Sequence, residues 1–298
     1  SIKSDPTTMA IAELHLFEKN TDASSTEKGF HYQHLRTVET WLYNRVNNIN
    51  REIYCDYQED ILIHEPAENS FQFRQIKFYS SNFSFSSEEI QKTIIHFFFL
   101  FAKQEPKTET AFIFETNSSI AQEIKGNDAD LLKNWQHNQG KLEGELLLEC
   151  IEKVQNIISS YINRQIERHT VSKRADFEHA YQSFRNLGIK HWKKFVQSIQ
   201  WQFNNQSKEE AMIEIENRLK ILIDQLPLYF EDNDRSICLP ILNYEVIQRT
   251  VNSYPRDKKL TNQQLDVLIL QKGGIPEKNY AELYQQWMIE PVVKSFNV

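Results

Sequence analysis

Four side chains in the amino-terminal part of the chain have the types and order needed for metal-assisted hydrolysis: Glu39, Asp60, Gln75 and Lys77. Magnesium takes oxygen ligands in near-octahedral geometry, usually one or two carboxylates together with waters and phosphate. Asp60 can supply the main carboxylate, Gln75 a side-chain carbonyl and Ile76 a backbone one. Glu39 can bind a second metal or hold a water of the first. Lys77 can orient the attacking water, lower its pKa, or offset the charge of a phosphorane-like transition state. Mg²⁺ or Mn²⁺ is therefore the expected cofactor.

Judged one at a time, each residue also has an ordinary structural explanation. Glu39 could be a salt-bridged glutamate beside an apolar stripe, and Asp60 a bulge or turn residue. Lys77 could be an edge-strand lysine that discourages aggregation. The order is what favours chemistry: an acid on a helix, an acid on the next strand, then Gln-x-Lys on the strand after it.

Hydrophobic periodicity shows the elements that must position them. Leu35, Val38 and Leu42 recur at helical steps after Thr26-Glu27-Lys28-Gly29, and Asn47, Asn48 and Asn50 end the helix. Glu39 shares that inward stripe, where an unpaired carboxylate is costly. Glu52 to Ile63 reads as one long strand, or as two halves around Asp60, and residues 64–69 read as a turn. From Phe71 to Tyr79 a second strand puts Phe71, Phe73, Gln75, Lys77 and Tyr79 on one face. Ser87 is placed to cap a helix that buries Ile90, Ile94, Phe97, Phe98 and Phe101. Ala111 to Thr116 reads as a buried strand.

Helix, strand, strand, helix, strand is a compact α/β unit over residues 29–120, preceded by a polar segment, 1–28. Beyond Asn117 strand signals nearly vanish. Helical patterns cover about 120–135, 142–169, 174–187, 189–203, 208–225, 261–270 and 277–290, with Pro227, Pro240 and Pro255 punctuating the tail. Residues 121–298 are expected to be a mostly α-helical region that oligomerises or docks to a regulator.

Composition sets the outer limits. The chain has 298 residues, 40% hydrophobic and 25% charged, and 7 glycines, which suits one large or two ordinary globular domains. Its net charge of -7 argues against a passive basic nucleic-acid coat, yet leaves room for a local basic patch. Cys55, Cys150 and Cys238 form no CxxC pair, which argues against structural zinc and fits a reducing cytoplasm. Nothing near the start resembles a signal peptide. The longest apolar run, Ile94 to Ala102, is broken by His96 and far too short to span a membrane. A cytoplasmic protein without a membrane partner is expected. P-loop, GxGxxG, HExxH and GxSxG motifs are missing.

His31 and His34 sit three apart near a helix start, a spacing common by chance. The densest basic cluster is Lys190-His191-Trp192-Lys193-Lys194, and Arg164, Arg168, Lys173 and Arg174 form another. Either could touch DNA phosphates or simply be a solvated helix face.

Gly29-Phe30-His31-Tyr32-Gln33 opening the helix, then Glu39, Glu59-Asp60-Ile61, Gln75-Ile76-Lys77 and the strand ending Thr116-Asn117 resemble one family. It is the PD-(D/E)xK, or restriction-endonuclease-like, nuclease domain at the N-terminus of bacterial anti-phage effectors, known from CBASS and Lamassu systems and beside HerA-type ATPases. The resemblance covers about residues 27–120. It implies a metal-dependent DNA endonuclease with Glu39, Asp60, Gln75 and Lys77 as its catalytic set. Gln33, Lys190, Lys193 and Lys194 would be possible contacts to double-stranded DNA. Gln-x-Lys stands where Asp/Glu-x-Lys is commoner, which removes one carboxylate and bears on whether one or two metals bind.

In CBASS members a mixed α/β nucleotide-sensing module follows the nuclease, whereas residues 118–298 read as helical. That pattern fits Lamassu or HerA-linked members, in which an SMC-like or HerA-like ATPase controls a nuclease that assembles as a homo-oligomer. The competing reading is a non-catalytic helical interaction protein carrying a degenerate nuclease fold.

Overall fold

The computed structural model describes residue 14 and residues 27–105, 107–122, 130–168, 171–228, 230 and 235–273. In chain order the elements are α1 (Glu27–Val46), β1 (Glu52–Tyr57), β2 (Glu59–Glu65), β3 (Ser70–Lys77), α2 (Glu88–Lys103), β4 (Glu109–Thr116) and α3 (Leu131–Asn138). They continue with α4 (Gly144–Arg168), α5 (Val171–Arg185), α6 (Ile189–Ser198), β5 (Ile199–Phe203) and α7 (Lys208–Asp224). The last are α8 (Cys238–Thr250), a 3-10 turn (Pro255–Lys258), β6 (Lys259–Leu260) and α9 (Asn262–Gly273). The strands form a six-stranded sheet in the order β5-β4-β3-β2-β1-β6. The chain divides into two compact units, one built on Phe71–Ser207 and the other on Ser25–Ser70 with the chain from Lys208 onward.

In the second of these units, α1 buries Leu35, Val38 and Leu42, as its periodicity requires. Asn48 ends the helix in the left-handed conformation at φ 53, and the Ile49 N–H returns to the Asn44 carbonyl at 2.8 Å, a Schellman-type stop. Trp41 Nε1 donates to the Thr261 carbonyl at 2.8 Å, and Arg45 pairs with Asp266 of α9 at 2.6 Å. β1 and β2 form an antiparallel hairpin, and β6 adds to β1 through Ile53–Leu260 and Tyr54–Lys259. Lys258 is buried, and its ammonium donates to the carbonyls of Asp56 (3.0 Å) and Thr250 (2.8 Å). It thereby ties the hairpin to the end of α8.

The other unit is held by an aromatic core. Phe73 of β3 stacks on Phe112 of β4 at 5.3 Å, and Phe97 of α2 lies 5.0 Å from Phe112. Phe98 stacks on Trp192 of α6 at 5.3 Å, while Trp201 of β5 meets Trp135 of α3 at 5.4 Å. The whole expected stripe of α2 is buried. Ser87 does sit at its N-cap, but its hydroxyl accepts from the Ser84 N–H at 2.9 Å instead of from the helix.

The structure departs from the sequence reading in several places. Glu52 to Ile63 is neither one strand nor broken at Asp60. Asp56 and Gln58 take left-handed backbone, φ 48 and 62, and the chain reverses there. The helix expected over 189–203 stops at Ser198, and Ile199–Phe203 is a strand parallel to β4. β6 and α8 were not expected. Pro240 falls in the first turn of α8, where a missing N–H costs nothing. The helix expected near 277–290 lies outside the described residues. No described helix is long and apolar enough to cross a membrane.

Candidate active site

Strand direction decides where Lys77 sits. β4 and β5 are parallel, pairing Phe112 with Ile199 through Thr116 with Phe203. The exits of β3 and β4 are bound to each other: Tyr79 N–H donates to Asn117 Oδ1 (2.9 Å) and Asn117 Nδ2 to the Tyr79 carbonyl (2.8 Å). A parallel bridge between Phe83 and Ile120 follows. The carboxyl ends of β3, β4 and β5 therefore share one edge, the edge at which ligands bind in open α/β sheets.

Lys77 is the last residue of β3 and stands at this edge, half-buried, with no hydrogen bond or ion pair to another described residue. Gln75 lies on the same strand face, and Thr93 of α2 donates to its Oε1 at 3.4 Å. A carbonyl oxygen has a second lone pair. The Ile76 side chain is buried on the opposite face, which leaves its main-chain carbonyl as the group of interest. Beneath the edge, buried Asn117 also donates to the Gln206 carbonyl at 3.1 Å, so one side chain joins the exits of three strands.

Glu39 and Asp60 belong to the other unit. Glu39 is 9% exposed. Arg36, one turn earlier on α1, pairs with its Oε2, and Arg218 of α7 donates from Nε to its Oε1 at 2.6 Å. Arg218 also pairs with Glu214. Burial works against the Arg218 charge, but the hydrogen bond and charge of Glu39 outweigh it and hold the guanidinium above its ordinary range. Both Glu39 oxygens thus face guanidinium groups, partners the sequence did not reveal. Asp60 is the second residue of β2, half-buried next to buried Glu59.

Gln33 is a half-buried residue of α1 whose carbonyl accepts from Thr37 at 3.0 Å. His31 and His34 lie on the same helix. Burial, then the charge of His31, pushes His34 down to about 4, and burial also lowers His31 against the opposing effect of Glu216.

Lys190, Lys193 and Lys194 are exposed on α6. With Glu109, Thr110, Gln197 and Ser198 they line an open groove of about 490 Å³. Glu109 and Thr110 begin β4, whereas Lys77 stands where the parallel strands end. An eight-residue strand at about 3.3 Å per residue puts the groove roughly 20 Å from that edge. The structure thus places the lysine cluster and Lys77 at opposite ends of the strands.

The donor types proposed for a metal suit a hard divalent ion: two carboxylates, an amide oxygen and a backbone carbonyl are all oxygen donors. Among the described residues, no three His, Cys, Asp or Glu side chains cluster to hold a metal.

A helix-flanked mixed α/β sheet with Gln-x-Lys at the carboxyl edge of its parallel strands is the class of domain these features define. The family model described as "Cap4, dsDNA endonuclease domain" matches residues 24–225, a span that includes all four candidate catalytic residues and continues through the helices to α7. The chain belongs to this family of DNA endonuclease domains. Among solved structures it is similar to the Acinetobacter baumannii Cap4 SAVED/CARF-domain containing receptor with the cyclic trinucleotide 3'3'3'-cAAA. The two are 10% identical with a TM-score of 0.44, and the match covers 89% of this chain and 47% of that one. The chain therefore spans about half the length of that receptor. No curated protein matches.

Proposed function

We propose that this chain hydrolyses double-stranded DNA as the nuclease of a prokaryotic antiviral defence system and acts in the cytoplasm. The observation that carries this reading is the family match over residues 24–225, because it encloses Glu39, Asp60, Gln75 and Lys77 in one continuous span. In the reaction a water oxygen bonds to phosphorus, the bond to the departing sugar oxygen breaks, and that oxygen takes up a proton. Lys77, held at the strand end without another partner among the described residues, orients the water and offsets the charge growing on the phosphoryl oxygens. Gln75, steered by Thr93, presents its amide oxygen from the same face. Asp60, Gln75 and the Ile76 carbonyl would hold Mg²⁺ or Mn²⁺, which when bound polarises the phosphate and lowers the pKa of the water. Glu39 suits the role of holding a metal-bound water. A carboxylate with two guanidinium partners still has lone pairs for a water proton.

Control by assembly follows from the chemistry, since an unrestrained DNA endonuclease would destroy its host. A homo-oligomer or an SMC-like or HerA-like ATPase partner, as in Lamassu, CBASS-related or HerA-linked systems, would supply it. The test offers the full chain supercoiled plasmid or RNA in Mg²⁺, Mn²⁺ or EDTA, with and without the partner ATPase. Plasmid nicking or linearisation that needs metal and spares RNA is expected. Cleavage in EDTA, cleavage of RNA alone, or silence in every combination overturns the reading.

A further inference from the structure

Three loops leave the carboxyl edge of the parallel strands: residues 78–83 after β3, 117–121 after β4 and 204–207 after β5. These stretches next to the strand ends contain no acid, and the first acids that follow them in the chain are Glu88, Glu123 and Glu209. Their exposed side chains are hydroxyls and amides. Ser119 joins the three loops into one lip. Its N–H donates to Asn82 Oδ1 at 3.3 Å and its hydroxyl to Asn205 Oδ1. The Asn205 N–H returns to the Ser118 carbonyl at 3.3 Å, and the Gln206 N–H to that of Asn117 at 2.7 Å. Asn205 is held in the left-handed region at φ 55.

These bonds fix the orientation of two amides. Asn82 and Asn205 are both exposed, and each spends its oxygen inside the lip. Each NH₂ group, with two N–H donors, is left without a partner among the described residues. Phosphate oxygens only accept, and asparagine and serine side chains are regular partners for them. Two pre-oriented amides with outward N–H groups therefore complement a nucleic-acid backbone.

We propose that this lip is a DNA-backbone contact surface, with Asn82 and Asn205 donating to phosphate oxygens of the duplex engaged at the Lys77 edge. The proposal rests on the nuclease reading above and adds the residues that seat the substrate. These neutral donors stand at the opposite end of the strands from the α6 lysines.

The test uses Asn82→Asp and Asn205→Asp in the full chain. Each keeps the inward oxygen, and with it the bonds of the lip, while replacing the outward NH₂ by an anionic oxygen. Gln182→Glu adds a similar charge on the exposed side of α5 and serves as the control. Affinity for a fluorescein-labelled duplex of about thirty base pairs is measured by anisotropy in EDTA, where no cleavage interferes. Each Asn→Asp change should raise Kd roughly tenfold, with the melting temperature and the control unchanged. If wild type binds and both variants stay within about twofold of it, the lip proposal fails while the nuclease reading stands. Equal weakening by Gln182→Glu also overturns it, since net charge would then explain the effect. A wild-type chain that binds no duplex overturns both.

Discussion

Replacing Asn117 with alanine removes three hydrogen bonds from a side chain that is 1% exposed. They are Tyr79 N–H to Oδ1 at 2.9 Å, and Nδ2 to the carbonyls of Tyr79 (2.8 Å) and Gln206 (3.1 Å). A typical internal hydrogen bond contributes about 0.5–1.5 kcal/mol net, so three give about 1.5–4.5 kcal/mol. The three losses are unequal. The Tyr79 carbonyl keeps the Ser118 hydroxyl at 2.8 Å, and half-buried Gln206 can turn its carbonyl to water. The Tyr79 N–H loses most, which puts the expected loss at about 2–3 kcal/mol. Urea unfolding followed by tryptophan fluorescence measures it, because Trp135 and Trp201 are buried in the same unit. The midpoint should fall with the slope unchanged. Ser118→Ala, which removes a single bond, should lose about 1 kcal/mol. A loss below about 0.5 kcal/mol for Asn117→Ala would refute the claim that this side chain fixes the strand exits. Lys77 lies two residues before Tyr79, so the variant should also cut more slowly at saturating DNA.

Further outcomes can be checked on the same protein. Arg218→Met takes one guanidinium from buried Glu39; with Arg218 itself partly exposed and screened, about 1–2 kcal/mol of stability should be lost, less in high salt, as read by denaturation in both. Phe98→Ala empties a fully buried site between Trp192, Phe184 and Phe195 and should cost about 3–5 kcal/mol in the same assay. Acid should destabilise the unit holding β1 in two windows. Burial keeps His34 at about 4, so stability present above 6.5 is lost as pH falls from there toward about 4. Burial raises Glu52, but hydrogen bonds from His64, Lys259 and Tyr54 outweigh it and bring the carboxyl down to about 2; its contribution, present above 4.5, fades as pH falls from there toward about 2. Melting temperatures from neutral to acid pH should show a shallower lower window in Glu52→Gln, and an unchanged profile would refute the assignment.

Where burial follows a local period, the sequence shows it. The stripes of α1 and α2 and the shared face of Gln75 and Lys77 need only the helical and strand repeats. Ile199-Gln200-Trp201-Gln202-Phe203 alternates with a period of two, but five residues after a strong helical pattern were absorbed into that pattern. The hairpin at Asp56–Gln58 has no glycine to announce its left-handed backbone, and the buried Lys258 that braces Asp56 comes from the far end of the chain. The candidate site shows the same limit. Glu39 reads correctly as inward, yet Arg218 looks like a surface partner of Glu214, four residues away. The lysine cluster is visible as composition, but its distance from Lys77 depends on strand direction, which Asn117 reveals through contacts distant in sequence.

The central claim is tested most directly by single-turnover cleavage of duplex DNA in Mg²⁺ by wild type and Lys77→Ala, with melting temperature and DNA affinity measured alongside. Removing one group that stabilises transition-state charge costs roughly 10²–10³ in rate. The account predicts a loss of at least about a hundredfold in the cleavage step, with folding and binding unchanged. Cleavage by Lys77→Ala within about twofold of wild type would contradict it.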